Sequence, residues 1–136
     1  MITAVDTNIL LDVLAPDPRF GPASATALRW AVGKGSLIAC EIVWAEVAAR
    51  FEHPDDAARA FEQLTVAYSC SEMAEALQAG QAWSDYRRRG GTRQRVIADF
   101  LIGTHARARA DRLLTRDRGF FRSYFADLTV VDPSAG

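Results

Sequence analysis

The sequence is poor in several residue types, and each shortage excludes something. Only one of its sixteen basic residues is lysine, Lys34; the other fifteen are arginine. Cysteine occurs twice, as Cys40 and Cys70, each at the end of a short apolar run. With no export signal in view, both read as buried free thiols, not as a disulfide. His53 and His105 stand apart from them, so the spacing of a zinc site is missing. No apolar run approaches the ~20 residues of a membrane span. Met1 leads straight into Ile2-Thr3-Ala4-Val5-Asp6 without a basic segment or a long apolar stretch, so a soluble cytoplasmic protein is expected. Net charge is nearly absent too. Sixteen basic and seventeen acidic residues give −1, which rules out a uniformly basic nucleic-acid binder and a long acidic tail. There is no linker, repeat or low-complexity tract, so residues 1–136 are expected to form a single domain.

The composition is otherwise that of a folded domain: 49% hydrophobic and 24% charged is enough apolar material for one core. The charges are segregated along the chain. Residues 1–85 carry five basic and twelve acidic groups, net −7, and residues 86–136 carry eleven and five, net +6. That polarity directs the search toward a cation site and an anion-binding surface.

Short β-type runs alternate with helical stretches. Strands are expected at Ile2–Val5, Ser36–Cys40, Val66–Cys70, Leu113–Thr115 and Leu128–Val131. Helices are expected over residues 8–14, 22–33, 41–51, 54–64, 72–86, 96–110 and 119–125. Apolar strands alternating with helices predict an α/β fold with a parallel sheet covered on both faces. In such sheets functional groups gather outside the carboxyl ends of the strands.

Two carboxylates fall at such ends: Asp6 follows the first strand and Asp117 the strand at 113–115. Glu46 lies in the helix after the second strand. Asp99 lies in Val96-Ile97-Ala98-Asp99-Phe100-Leu101-Ile102, an apolar setting that is costly for a charge without a partner. Each also fits a structural role: Asp6 and Asn8 as helix caps, Glu46 as a solvated position, Asp99 in a first helical turn, Asp117 in a turn. Four carboxylates converging on one sheet edge stay ionised together only with a positive partner. An all-oxygen donor set suits Mg2+ or Mn2+, and such an ion supports phosphodiester hydrolysis.

Asp6-Thr7-Asn8, the Glu46 segment Glu41-Ile42-Val43-Trp44-Ala45-Glu46-Val47, Ala98-Asp99-Phe100-Leu101-Ile102-Gly103-Thr104-His105-Ala106 and Leu113-Leu114-Thr115-Arg116-Asp117-Arg118-Gly119-Phe120-Phe121 resemble the successive motifs of the PIN-domain ribonucleases. More closely, they resemble the VapC toxins of toxin–antitoxin pairs. The resemblance runs from Ile2 to Pro133, and its last two motifs are the most specific. It implies a three-layer α/β/α PIN-like domain with a central parallel sheet and Mg2+- or Mn2+-dependent endoribonuclease activity. It implies Asp6, Glu46, Asp99 and Asp117 as catalytic residues, with Asp6, Asp99 and Asp117 on the metal and Asn8 and Thr115 in support. It further implies a homodimer and a cognate antitoxin protein that blocks the acidic pocket. Glu41 competes with Glu46 for the second acidic position; five residues apart, they cannot share one helix face.

Arg87-Arg88-Arg89-Gly90-Gly91-Thr92-Arg93-Gln94-Arg95 precedes the Asp99 helix and reads as an RNA phosphate clamp or as a solvated loop. Arg87, Arg88, Arg89, Arg93, Arg95 and Arg116 are the RNA-binding candidates. Arg107, Arg109 and Arg112 read as solvated. Trp30, Trp44, Trp83, Phe120, Phe121, Tyr124 and Phe125 read as core or dimer surface, and His105 as a helix residue without a catalytic part. Two other readings remain. A receiver-like phospho-acceptor needs a lysine near its aspartate, and Lys34 sits in a Gly-Lys-Gly turn. A catalytically silent PIN-like binding module would bind no metal.

Overall fold

The structure, a computed structural model, describes residues 1–93 and 96–135. Among the described residues five strands form one sheet: β1 (Ile2–Val5), β2 (Ser36–Ala39), β3 (Val66–Tyr68), β4 (Arg112–Leu114) and β5 (Val130–Val131). Every pairing is parallel, in the order β3-β2-β1-β4-β5. Seven α-helices among the described residues flank it: α1 (Thr7–Leu14), α2 (Gly21–Lys34), α3 (Glu41–Ala48), α4 (Pro54–Gln63), α5 (Met73–Arg88), α6 (Val96–Arg109) and α7 (Arg118–Tyr124). This is the three-layer α/β/α arrangement that the alternation of apolar runs predicts.

The central strands are short, and their apolar side chains are buried because helices cover both faces of a parallel sheet. Val5, Leu113 and Leu114 are buried together with Ile9 and Leu10 of α1, Val43 and Val47 of α3, Phe61 of α4 and Phe100 of α6. Trp44 stacks on Phe61 with ring centroids 3.8 Å apart, which places that tryptophan in the core. Trp30 is 44% exposed.

The strand order reverses between β1 and β4. The chain first moves outward through β2 and β3, then crosses back to add β4 and β5 on the other side. The carboxyl ends of β1 and β4 therefore lie side by side at a topological switch point, where a crevice opens in sheets of this kind. The Asp6 backbone N–H donates to the Leu114 carbonyl at 2.9 Å and fixes that juxtaposition.

Several boundaries differ from the sequence expectation, each for a local reason. β3 stops at Tyr68 because the Glu41 carboxylate takes the backbone N–H and the hydroxyl of Ser71, both at 2.9 Å, and draws the chain out of the sheet. Cys70 is consequently exposed, whereas Cys40 is buried as expected. α3 ends at Ala48 instead of Phe51: Arg50 and Phe51 donate to Val47 and Ala48, tightening the last turn. β4 begins one residue early, which carries Arg112 into the sheet. Its guanidinium is buried 4.3 Å above the Trp30 ring, not solvated. Arg109 is not free in solvent either, since it clamps the buried Glu75 carboxylate between α5 and α6 at 2.7 Å. Arg107 lies over the Phe125 ring at 5.2 Å.

Candidate active site

Asp6 leaves β1 and caps α1. Its Oδ1 accepts the Thr7 backbone N–H at 2.7 Å, which satisfies one of the orphan donors of the first helical turn. Its Oδ2 accepts the Thr115 hydroxyl at 2.7 Å and the Asn8 amide at 3.3 Å. Asp6 is thus a cap, and also more than one: only 5% exposed, it takes donors from both central strand ends.

Thr115 is fully buried and joins the two halves of the site. Its single hydroxyl proton goes to Asp6. Its oxygen accepts the Asp117 backbone N–H at 3.0 Å and the Asn8 amide at 3.4 Å. The Asn8 carbonyl in turn accepts the Arg116 backbone N–H at 3.2 Å. On the other side of Asp6, the Thr7 hydroxyl donates to Glu46 Oε1 at 2.8 Å. Glu46 is therefore linked to Asp6 through Thr7, while Glu41 on the same helix turns to Ser71.

Asp117 and Asp99 meet through Arg93. The Arg93 guanidinium hydrogen-bonds Asp117 Oδ2, and the same nitrogen lies 3.7 Å from Asp99 Oδ2. These two carboxylates hold the Arg93 charge more firmly than water does, raising its pKa, with the Asp117 hydrogen bond the largest cause. All four acidic candidates thus belong to one linked series, Glu46–Thr7–Asp6–Thr115–Asp117–Arg93–Asp99.

The donors are oxygens throughout, and the Asp99–Asp117 pair already accommodates a positive charge. Both facts fit a hard divalent cation. Among the described residues no three carboxylate, imidazole or thiolate groups form a ready-made metal cage. A Mg2+ site does not demand one, because Mg2+ is typically held by one or two carboxylates with waters and substrate phosphate completing the shell. Cys40, next to α3, is no nucleophile: burial pushes its thiol up to about 11, and the charges of Glu41 and Asp6 push the same way.

The arginines divide. Arg116 forms a two-pronged ion pair with Asp12 at 2.7 and 2.9 Å, and its guanidinium lies 4.0 Å from the Phe20 ring centroid. Asp12 is 4% exposed and also accepts the Ser24 hydroxyl at 2.8 Å. Nothing in the sequence separation of Asp12 and Arg116 signals this pair; the sheet crossover brings them together. Arg87 lies over the Trp83 ring at 5.3 Å, Arg88 pairs loosely with Asp85 at 3.7 Å, and Arg89 is exposed at the end of α5. Arg95 lies outside the described residues. Lys34 ends α2 and precedes β2, so it stands at the amino edge of the sheet, opposite Asp6. The receiver-like reading finds no lysine at the site. A concavity of about 530 Å³, lined by Pro22, Ala23, Thr26, Ala27, Trp30, Val131 and Pro133, is almost wholly apolar and includes none of the four acids.

The sequence model of the PIN domain matches residues 3–126. No curated protein matches the sequence. Among solved structures, a chain of VapBC2 from Rickettsia felis bound to a promoter DNA fragment superposes with a TM-score of 0.73 at 16% identity, covering 97% of this chain and 98% of that one. A chain of VapBC-1 from nontypeable Haemophilus influenzae gives 0.72 at 22% identity, covering 98% and 99%. A toxin–antitoxin complex from Klebsiella pneumoniae gives 0.70 at 21% identity, covering 96% and 97%. At these identities the likeness is one of fold.

Proposed function

The chain belongs to the PIN-domain family, and from that premise we propose that it is a metal-dependent endoribonuclease acting as the toxin of a toxin–antitoxin pair. It works in the cytoplasm as one PIN unit spanning residues 1–136, forms a homodimer and is silenced by a cognate antitoxin protein. The observation that carries the reading is the linked series of hydrogen bonds and ion pairs, two of them through the backbone N–H groups of Thr7 and Asp117, that runs from Glu46 through Asp6, Thr115 and Asp117 to Arg93 and Asp99 about the carboxyl ends of β1 and β4. The toxin–antitoxin complexes among the similar structures support the biological setting.

Asp6, Asp99 and Asp117 are the residues that would hold Mg2+ or Mn2+. Such an ion supplies Lewis-acid stabilisation of a phosphoryl group and lowers the pKa of a bound water. The protein's own part is positional. Thr7, Asn8 and Thr115 aim donors at Asp6, so its carboxylate is fixed before substrate arrives and little reorganisation is left for the reaction. Glu46, held by the Thr7 hydroxyl, is the group that accepts a proton from an attacking water. Arg87, Arg88, Arg89 and Arg93, with Arg95, supply guanidinium groups to the RNA backbone. Asn8 and Thr115 orient the Asp6 carboxylate.

Purified protein should cleave RNA with Mg2+ or Mn2+ and lose that activity on chelation. Asp6→Ala and Asp99→Asn should each lower the cleavage rate by at least about a hundredfold. Cleavage that survives both substitutions, or that ignores the chelator, would sink the reading. Absence of Mg2+ or Mn2+ binding, together with absence of RNA cleavage, would favour a silent binding module.

A further inference from the structure

Arg93 is the one arginine of the basic stretch, among the described residues, whose place is built on several sides. Its guanidinium bonds Asp117 and faces Asp99. Its planar group lies 5.1 Å from the Phe120 ring centroid, within cation–π range. Its backbone N–H donates to the Tyr86 hydroxyl at 3.0 Å. Two residues earlier, Gly91 donates to the Tyr86 carbonyl at 3.0 Å and lies flat against the Tyr86 ring, where a Cβ would fall 2.1 Å from a ring carbon. Tyr86 in turn meets Phe100 and Tyr124 edge-on at 5.9 and 5.5 Å. Phe100 follows Asp99 in α6, and Phe120 lies three residues after Asp117 in α7. The loop that carries Arg93 is therefore clamped to the same aromatic cluster that carries both carboxylates.

We propose that Arg93 is a resident counter-ion latch, a guanidinium that occupies the Asp99–Asp117 pair and competes there with a divalent cation. The proposal rests on the reading of these two carboxylates as cation ligands. Seated between them, the latch relieves their mutual repulsion. A divalent ion and a guanidinium cannot both sit between the same two oxygens without strong like-charge repulsion, so binding one expels the other. The Arg93 side chain is 44% exposed, so it can leave without opening a hole in the core. The expelled guanidinium stays on a loop beside the site, free for a phosphate.

The test is calorimetric titration with Mn2+ alone, without RNA, on the wild type and on Arg93→Ala, Arg93→Gln and Gly91→Ala. Arg93→Ala and Arg93→Gln should bind Mn2+ about tenfold more tightly, which corresponds to a latch closed about nine-tenths of the time. Gly91→Ala keeps the charge but dislodges the loop, and should shift affinity in the same direction. Mn2+ should also raise the melting temperature of Arg93→Gln more than that of the wild type. Equal or weaker Mn2+ binding by folded Arg93→Gln overturns the latch and leaves the cation site standing. No Mn2+ binding by any of the proteins overturns the cation site and the latch with it.

Discussion

At the scale of single residues, Thr115 shows how much one buried hydroxyl organises. It donates to Asp6, accepts from Asp117 and Asn8, and has no hydrogen-bonding capacity to spare. Thr115→Val keeps the shape and removes all three hydrogen bonds. The proposed RNA cleavage should fall by about 10- to 100-fold, the usual cost of removing a group that orients a metal-holding carboxylate such as the one proposed for Asp6; an unchanged rate in a steady-state assay would remove Thr115 from the proposed machinery. His105 makes a different prediction. It is 1% exposed and hydrogen-bonded to Ser69 at 2.9 Å. Burial holds its pKa below the ordinary value of 6.5; Arg109 acts the same way, against Glu41, Glu75 and the Ser69 hydrogen bond. The folded protein thus refuses a proton that the unfolded chain takes. The stabilisation is fully present above pH 6.5 and is lost as pH falls through the folded value. Melting temperature should decline from pH 6.5 downward, and His105→Gln should flatten that decline. An equally steep profile in the variant would assign it to other groups. Asp6, Asn8, Thr115 and Asp117 are legible at strand ends from the order of residues alone, but no spacing rule joins Thr7 to Glu46 or Arg93 to Asp117.

At the scale of elements, α6 and α7 carry the aromatic side of the site. Phe100, Phe120, Phe121, Tyr124 and Phe125 form a connected set of rings around the helix that holds Asp99. Their helical spacing makes them legible as packing residues. The close approach of α6 to Phe125 is not legible: a Cβ on Gly103 would lie 2.3 Å from the Phe125 ring. Gly103→Ala should therefore destabilise by about 1–3 kcal/mol despite its better helix propensity. Gly80→Ala on α5, with nothing within 4 Å, should stabilise by up to about 1 kcal/mol. Urea unfolding of the two variants checks the opposite signs, and stabilisation by Gly103→Ala would mean that the ring has room to move. The ends of α3 and β3 are less legible than the elements themselves: β3 is terminated by Glu41, a group distant in the chain, and α3 by a tightened last turn that no capping residue announces.

At the scale of the whole molecule, the segregated charge resolves into separate uses. Asp12 and Glu75, from the acidic first part, are tied by Arg116 and Arg109 from the basic second part. Two acid–arginine pairs thus join the two parts of the chain inside the fold, where removing the arginine leaves a buried carboxylate in a low-dielectric surrounding. Among the exposed arginines of the second part are Arg87, Arg88 and Arg89 at the end of α5. Replacing Arg87, Arg88 and Arg89 with Ala together, in an Asp6→Ala background that cannot cleave, should weaken RNA binding. It should also reduce the slope of log affinity against log salt by about 0.7 for each phosphate no longer neutralised. Filter-binding titrations over a salt series measure this; an unaltered slope would leave those arginines as solvated surface. No helix among the described residues is long and apolar enough to cross a membrane.

The order of apolar and polar residues along the chain was sufficient for the alternation of strands and helices, for a parallel sheet and for the acids at strand ends. These are periodic or local properties, set by the chain's own neighbours. Which acids share donors, which arginine neutralises which carboxylate and which cysteine is buried are questions about residues far apart in the chain. They were decided only when the crossover from α6 laid β4 beside β1. That step brings Thr115 within 2.7 Å of Asp6 and Arg116 within 2.7 Å of Asp12, because parallel strands pair through connections too long for any sequence window to span.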